Sequence, residues 1–366
     1  MVTLRRLIYR EVLTAIAFVT VGFLALFFFF DFVDELGNVG AAQGRYRLTH
    51  ALTYVLLLMP NHLYELLPIT VLIGTIFVMA RFAQSSEYTI LRTSGLGPWR
   101  ALRTLLLLGA AFSVLTIAVG DYLTPVADRT AQLLKARFQG SISVGQTGAW
   151  LKERREGQTL TVNVGALSPE GKLQSVRIFE AGSDARLRSA IAAEAAEFRA
   201  GAWQLRNVQQ RTFTEGADGL PRITFAQHAS LDWPTDLTAE MVSAALLRPD
   251  RMRTVDLFQY IRHLQANGQA SQRYEIEFWR KLFYPLSCMV MVILALPFAY
   301  LHFRSGGITG YVFGGVLIGI SFFLLNNVFG YIGNLRAWSP WLTAAAPGLI
   351  YTFVSLGAFG WLVLRR

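Results

Sequence analysis

Long uncharged segments separated by polar ones dominate the pattern of this chain. The first, residues 12–30, carries no charge over 19 residues. A helix rises about 1.5 Å per residue, so a segment of this length crosses a bilayer core of about 30 Å. Further segments, all largely apolar, follow at residues 51–80, 104–120, 282–303, 305–335 and 337–364. The pattern predicts an α-helical membrane protein with six transmembrane helices, three before and three after a polar block.

The second apolar segment contains two prolines. Pro60 and Pro68 lie in its middle, with Glu65 between them. Proline removes a helical hydrogen bond, and its ring clashes with the preceding turn. We therefore expect a kink or a break near Pro60.

The polar block, residues 125–273, holds 19 of the 34 Lys+Arg and 15 of the 24 Asp+Glu. Its periodicity is two, as where Leu160 and Val162 alternate with Thr161. Such alternation is typical of strands with one buried face, and several short strands predict an inserted all-β, jellyroll-like domain. The inward-facing candidates are Leu160, Val162, Val176, Ile178, Ile223 and Phe225, and the outward-facing ones are Thr161, Arg177 and Thr224.

The composition divides the chain into four parts. Residues 254–266 have helical spacing, which predicts a helix that connects the β domain to the fourth span. The predicted boundaries are 1–124 for the first three spans, with a loop helix at about 84–95, 125–253 for the β domain, 254–273 for the connecting helix and 274–366 for the last three spans.

The distribution of arginines predicts the orientation in the membrane. Cytoplasmic loops carry an excess of Lys and Arg. The short loops on the side of both termini carry Arg5, Arg6, Arg10, Arg81, Arg92, Arg100, Arg103, Arg304, Arg365 and Arg366. The short loops on the other side carry only Arg45, Arg47 and Arg336. We therefore expect cytoplasmic termini and an extracytoplasmic β domain, and the net charge of +10 reflects orientation rather than nucleic-acid binding.

The loop between the second and third spans has the signals of a short helix. Ser86 can cap its start, and Glu87 suits its positive N-terminus. Arg92 suits its C-terminal end, and Gly95 can adopt the left-handed conformation that ends it. From the spacing alone, a surface helix that merely joins two spans is the alternative.

The same loop, SSEYTILRTSGLGPWR at residues 85–100, resembles the coupling helix of the LptF/LptG (YjgP/YjgQ) lipopolysaccharide-export permeases, whose pattern is roughly Ser-Glu-x-x-x-x-x-x-Ser-Gly. The end of the first span, residues 32–34, and residues 268–286 resemble the LptG branch of that family. The resemblance covers nearly the whole chain, including the order of three spans, a β domain and three spans. It implies that Ser86, Glu87, Tyr88, Leu91, Arg92, Ser94 and Gly95 contact an ATPase.

The resemblance also implies a setting for the chain. It would lie in a bacterial inner membrane, with its β-jellyroll in the periplasm, as one permease subunit of an ABC transporter for lipopolysaccharide. Its partners would be an LptF-like permease, a cytoplasmic LptB-like ATPase dimer, a membrane-anchored LptC-like protein and a periplasmic LptA-like jellyroll protein. The chain itself would hold no cofactor, because ATP and magnesium would bind to the ATPase.

A lipid with acyl chains and phosphorylated sugars needs an apolar cavity with cations at its rim. For the apolar wall we predict Phe27 and Phe30 of the first span and Phe322, Phe323 and Phe329 of the fifth. The family places lysines near the outer end of the first span, but here residues 34–38 read DELGN. The candidate cations for the head group are Arg45, Arg47, Arg129, Lys135 and Arg137, with a solvated basic rim as the alternative.

Sequence signals for catalysis are absent. Residues 140–147 have the spacing of a phosphate-binding loop, but Gln146 stands where the lysine is required. The five histidines are scattered without a metal-binding motif, and the single cysteine lies in an apolar segment. We therefore expect a transporter subunit rather than an enzyme. The alternatives are the sister subunit LptF of the same transporter, a membrane scaffold without transport, and a membrane-bound hydrolase or ligase.

Overall fold

The structure is a computed structural model in which the chain forms two compact units. It describes residues 2–40, 46–85, 97–139, 148–155, 158–168, 172–184, 186–199, 202–215, 221–235, 237, 241–242, 249–300 and 308–364. Unit 1 comprises residues 1–37, 55–127 and 272–366, and unit 2 comprises residues 38–54 and 128–271. The boundary between the units therefore passes through two helices that belong to both.

The helices follow the predicted order. Before the β domain they are α1 (Val2–Leu36), α2 (Leu48–Gln84), α3 (Pro98–Ala118) and α4 (Thr124–Gln139), and a π-helical turn (Val119–Leu123) joins the last two. After it come α5 (Thr254–Ala266), α6 (Gln272–Phe283), α7 (Ser287–Ala295), α8 (Ile308–Leu335) and α9 (Pro340–Leu364). Six helical stretches within the described residues are long and apolar enough to cross a membrane, three on each side of the β domain. The predicted membrane-protein class is confirmed.

The prolines act differently in the second and fourth spans. α2 is one continuous helix with Pro60 and Pro68 inside it, so the helix does not break near Pro60, and a kink there stays a prediction. Proline is tolerated within membrane helices where neighbouring helices pack against it, and here the start of α4 contacts α2 at Pro60, where the Thr124 hydroxyl donates to the Pro60 carbonyl (3.2 Å). In the fourth span, 3₁₀ turns at Tyr284–Leu286 and Leu296–Tyr300 interrupt the helix at its prolines.

Close helix contacts define the core of unit 1. Buried residues of α1, α2, α3, α7 and α9 form one apolar cluster that includes Val12, Phe82 and Leu105. Gly74 of α2 lies so close to α1 that a Cβ there would be 2.7 Å from Cγ1 of Ile16. Glycine at this position therefore allows the backbones of α1 and α2 to approach each other.

Unit 2 contains an antiparallel sheet in which each strand pairs with the next along the chain. Within the described residues the strands are β1 (Ala149–Arg155), β2 (Gln158–Leu167), β3 (Leu173–Gly182), β4 (Leu187–Arg199), β5 (Ala202–Glu215) and β6 (Pro221–Trp233). The prediction of an all-β domain between the third and fourth spans is confirmed.

The buried face of this sheet continues across a line where the simple alternation is interrupted. In three adjacent strands two buried residues lie three apart instead of two: Leu173 and Val176, Ala193 and Ala196, and Leu205 and Val208. Between them Ser175 and Asn207 adopt left-handed backbone conformations, with φ of 53° and 51°. A shift of one residue would by itself turn the following apolar side chains to the other face of the sheet. The interruption at the additional residue of each strand keeps them on the buried face.

The free edge of β1 is covered by side chains from the turn after α5. The backbone N–H of Arg154 donates to Oδ1 of Asn267 (2.8 Å), and that of Lys152 donates to Oε1 of Gln269 (3.2 Å). The unpaired N–H and C=O groups of an exposed strand edge can pair with a strand of another chain. The two amide side chains satisfy donors of β1 that would otherwise be available to another strand.

Candidate functional site

The predicted coupling residues lie in residues 86–96, outside the described part of the chain, so their assignment stays a prediction. The helices on both sides of this loop are joined to α1. Arg81 near the end of α2 donates from Nη2 to Oε2 of Glu11 (2.6 Å). The hydroxyl of Tyr9 donates to the carbonyl of Thr104 in α3 (3.2 Å). The helices on both sides of the loop are therefore each joined to α1 by a side-chain hydrogen bond.

An aromatic cluster in unit 2 packs the end of α4 against the start of α2. The ring of Phe138 lies 5.1 Å from that of Tyr46 and 4.6 Å from that of His50, measured between centroids. The ammonium of Lys135 lies 4.6 Å from the ring centroid of Tyr54, a cation–π distance. Because Arg47 is three residues before His50, the cluster brings the predicted cations Arg47 and Lys135 to the same part of unit 2.

The other predicted cations lie nearby in sequence. Arg45 is outside the described residues, whereas Arg129 and Arg137 are exposed on α4. Their acidic neighbour Asp128 is buried and accepts from Nη1 of Arg251 at 2.6 Å. Because Arg251 balances that carboxylate, Asp128 does little to reduce the positive charge of α4.

The predicted apolar wall divides into exposed and packed residues. Phe30 and Phe323 are exposed and could contact lipid. Phe27 stacks on His62 (4.7 Å), and Phe329 packs against Trp338 (6.2 Å).

Phe322 differs from the prediction. Its ring is only 1% exposed and packs against Tyr284 and Tyr351, at centroid distances of 6.3 and 5.1 Å. Phe322 therefore contributes to the helix core rather than to a cavity wall, because α8 turns this face toward α7 and α9.

Four of the six inward candidates of the β domain are buried as expected. Leu160, Val162, Val176 and Ile178 are all at most 5% exposed. They fill the covered face of the sheet, and a role for them in passing a lipid stays a prediction.

The structure contradicts the inward orientation of Ile223 and Phe225, which are 51% and 70% exposed. Directly opposite residues of antiparallel strands share a face. Phe225 lies opposite Arg211, whose row continues through Ala190 and Phe179 to Thr161, an outward residue. Thr224 belongs to the other face, in the row of Leu160. Ile223 and Phe225 of this edge strand therefore point to solvent.

One polar pair within the spans was missed by the sequence analysis. Nε2 of His62 in α2 lies 2.7 Å from Oδ2 of Asp31 in α1, and both side chains are largely buried. The signal available was an acidic residue at the end of an uncharged span and a histidine beside Pro60. Their pairing across two helices depends on packing, which no spacing within one segment reveals.

Two cations of α6 were also not assigned a role. Lys281 donates to the carbonyl of Gly120 (3.3 Å), and Arg280 donates to Glu277 (2.8 Å) and to a carbonyl of α8. A charge within an apolar bundle needs such partners, because burying it unpaired is costly. These contacts explain how the fourth span, Gln272–Tyr300, accommodates two adjacent cations.

Comparison with known proteins agrees with this architecture. The family described as lipopolysaccharide export system permease LptF/LptG matches residues 6–365. The chain is 27% identical to the lipopolysaccharide export system permease protein LptG of Escherichia coli (strain K12) over 367 residues, which covers 99% of this chain and 98% of that protein. It is also 27% identical over 369 residues to LptG of Haemophilus influenzae, covering 100% of this chain and 99% of that protein. With six candidate spans and a β domain between the third and fourth, the chain belongs to the LptF/LptG family of lipopolysaccharide export permeases.

Proposed function

We propose that this chain is a permease subunit of an ATP-driven transporter that extracts lipopolysaccharide from the inner membrane and passes it to a periplasmic bridge toward the outer membrane. The observation that carries the proposal is the family match over residues 6–365. It includes both groups of spans and the β domain, so the support comes from the complete architecture rather than from a single motif.

ATP hydrolysis belongs to a partner in this proposal. Gln146 replaces the lysine that a phosphate-binding loop requires, so this chain does not supply that charge itself. The loop at residues 86–96, with Glu87, would contact an LptB-like ATPase dimer. Because Arg81 and Thr104 connect the neighbouring helices to α1, the first span would move with the loop.

The substrate would meet two kinds of surface. Arg47, Arg129, Lys135 and Arg137 would attract its phosphates, with Asp128 already neutralised by Arg251. The exposed ring of Phe30 in α1 would contact the acyl chains. Coulomb attraction at an exposed rim is screened within about 8–10 Å at ordinary ionic strength, so the cations would act at close range.

The orientation and partners follow from the same proposal. Both termini would be cytoplasmic and the β domain periplasmic, as the arginine distribution predicts. The chain would pair with an LptF-like permease and hand its cargo to LptC-like and LptA-like jellyroll proteins. The LptG role is favoured over the sister LptF role because the full-length relatives from Escherichia coli and Haemophilus influenzae are named LptG.

Purification of the chain from its own host membranes tests the proposal. Mass spectrometry of the purified complex should find lipopolysaccharide, a second permease of the same family and a cytoplasmic ATPase. In the double variant Lys135→Gln with Arg137→Gln, photo-crosslinking to lipopolysaccharide should fall more at low salt than at high salt. The variant Arg177→Gln is the matched control, because that arginine is exposed on the sheet. Recovery of neither the lipid nor an ATPase would contradict the proposal.

A further inference from the structure

Two side chains of α6 attach the C-terminal half of α8, residues 322–335, through main-chain carbonyls. Nη2 of Arg280 donates to the carbonyl of Asn326 (3.2 Å). Nε2 of Gln272 donates to the carbonyls of Gly333 (3.3 Å) and Trp338 (2.6 Å), at the end of α8 and in the turn that follows it. The helices run antiparallel at this contact, because the order of the partners along α8 is the reverse of that along α6.

Glu277 orients the guanidinium of Arg280. Oε1 of Glu277, one turn earlier on α6, accepts from Nη1 of Arg280 at 2.8 Å, and both side chains are less than a quarter exposed. The pair balances its own charge within the bundle. With Nη1 bound to the carboxylate, Nη2 is directed toward α8.

Gly330 provides the space that Nη2 occupies. A Cβ at this position would lie 2.0 Å from Nη2, far inside van der Waals contact. Any other residue would therefore displace the guanidinium from the carbonyl of Asn326, which lies one turn earlier on the same helix. Glu277, Arg280, Asn326 and Gly330 together form what is called below the Arg280 clamp.

The N-terminal half of α8, residues 308–321, packs by different contacts. A Cβ at Gly315 would lie 2.8 Å from Cδ1 of Ile76, and one at Gly319 would lie 2.7 Å from Cγ2 of Ile69. Both isoleucines belong to α2, so apolar side chains fill the glycine positions of this half. Phe322, at the junction of the halves, is buried in the core.

The hydrogen bonds of the C-terminal half of α8 and the glycine–isoleucine packing of its N-terminal half differ in what is lost when they separate. The carbonyl of Asn326 also lies within an α-helix, where it accepts the N–H four residues later, and Arg280 would keep Glu277. Release of Arg280 therefore leaves the Asn326 carbonyl with its helical partner, and on release of Gln272 the Gly333 carbonyl keeps the N–H of Trp338 (3.0 Å). Separation of the other half would open the space between the glycines and the isoleucines and lose their dispersion contacts.

We propose that Arg280 is a positioning residue whose clamp reversibly attaches the C-terminal half of α8 to α6, and that export uses release of this half while the N-terminal half stays packed on α2. The role in export rests on the proposed function, whereas the clamp itself is a property of this chain alone. The movement would change the position of the exposed face of the fifth span beyond Phe322, and Phe322 itself would stay in the core.

Distance measurements between spin labels test the clamp. The full chain is studied in lipid nanodiscs with labels at the exposed positions Leu282 and Val328 across the clamp, or Phe77 and Leu317 across the other half. Arg280→Gln and Gly330→Ala should each broaden and lengthen the first distance and leave the second unchanged. Gly314→Ala is the matched control on the same helix, since a Cβ there meets nothing within 4 Å. Equal changes in both distances, or no change between Leu282 and Val328, would show that Arg280 does not attach the C-terminal half of α8 to α6.

A double variant separates the clamp from a general effect of the alanine. In an Arg280→Ala background, Gly330→Ala should have no further effect, because the group that its Cβ would meet is gone. Arg280→Lys should restore part of the short distance by donating to the same carbonyl. If Gly330→Ala acts equally in both backgrounds, Arg280 is not the cause.

The role in export has its own readout. These distances need neither ATP nor lipopolysaccharide, so a failure of the proposed function would leave them unchanged. In the assembled transporter, Arg280→Gln should lower ATP-dependent release of lipopolysaccharide at least severalfold, and Gly314→Ala should not. If lipopolysaccharide is released normally although the distance between Leu282 and Val328 is lengthened, the clamp has no role in export.

Discussion

The assignment of faces in the β domain predicts opposite outcomes for one substitution at two positions. Ile178→Thr affects a side chain that is 1% exposed, and Ile223→Thr affects one that is 51% exposed. The change removes the equivalent of two methylene groups, worth about 1.6 kcal/mol when buried, and adds a hydroxyl whose unpaired burial costs about 1–3 kcal/mol. We expect the free energy of unfolding of the domain to fall by about 3 kcal/mol at Ile178. At Ile223 half of the transfer contribution is already absent, and the loss stays below about 1 kcal/mol.

Hydrogen exchange of the backbone amides measures this difference in the full chain. A loss of about 3 kcal/mol lowers the protection of β2–β4 amides that exchange through opening of the whole domain by roughly 150-fold. For Ile223→Thr the same amides should change by less than about fivefold. The two variants share their chemistry, so each is the control for the other. Equal loss of protection in both would show that β6 buries the face assigned here to solvent.

Three further predictions concern the helices, the pH dependence and the loop. Gly74→Ala should lower the free energy of unfolding by about 1–3 kcal/mol, because its Cβ would meet Ile16. Gly22→Ala, where a Cβ meets nothing within 4 Å, should not lower it. Equal stability of the two variants would contradict this contact. Burial lowers the pKa of His263 below its ordinary 6.5, because it disfavours the charged imidazolium. The stability that the neutral ring contributes is therefore fully present above pH 6.5 and is lost as the pH falls through the lowered pKa. An NMR titration midpoint of the ring at or above 6.5 would be inconsistent with this burial. Glu87→Ala or Glu87→Lys should weaken association with the ATPase or uncouple hydrolysis from export, and normal binding and export in both variants would exclude Glu87 from coupling.

The spans could be predicted from the sequence because each is a long segment with few or no charges, and insertion in a bilayer depends mainly on that property. The continuity of α2 could not. Whether Pro60 breaks a helix depends on the neighbours that surround it, and one of them, Thr124, is 64 residues away in the chain.

The alternation of β2 and β3 predicted buried residues correctly, and the same reasoning failed for β6. Alternation shows that Ile223 and Phe225 share a face, but it does not show which face is covered. The covered face is set by the register with β5, in which Phe225 lies opposite Arg211. An edge strand with apolar residues on its open face therefore cannot be oriented from its own sequence.

The candidate site likewise contains residues that the sequence predicted and contacts that only the packing reveals. The cations of α4 were found because they stand next to a span, whereas the pairing of Asp31 with His62 and the contact of Arg280 with α8 join residues that are 31 and 46 positions apart. Polar groups within a bundle need partners. That rule predicts that such partners exist, and only the packing of the helices shows which residues they are.

Depletion of this chain in its own host most directly tests the claim that it exports lipopolysaccharide. Newly made lipopolysaccharide is pulse-labelled, and the inner and outer membranes are separated after the chain has been depleted. The labelled lipid should stay in the inner membrane fraction, and the intact chain should restore its transfer whereas a chain with Arg280→Gln should restore it poorly. Normal arrival of the labelled lipid in the outer membrane without this chain would show that the chain is not required for lipopolysaccharide export.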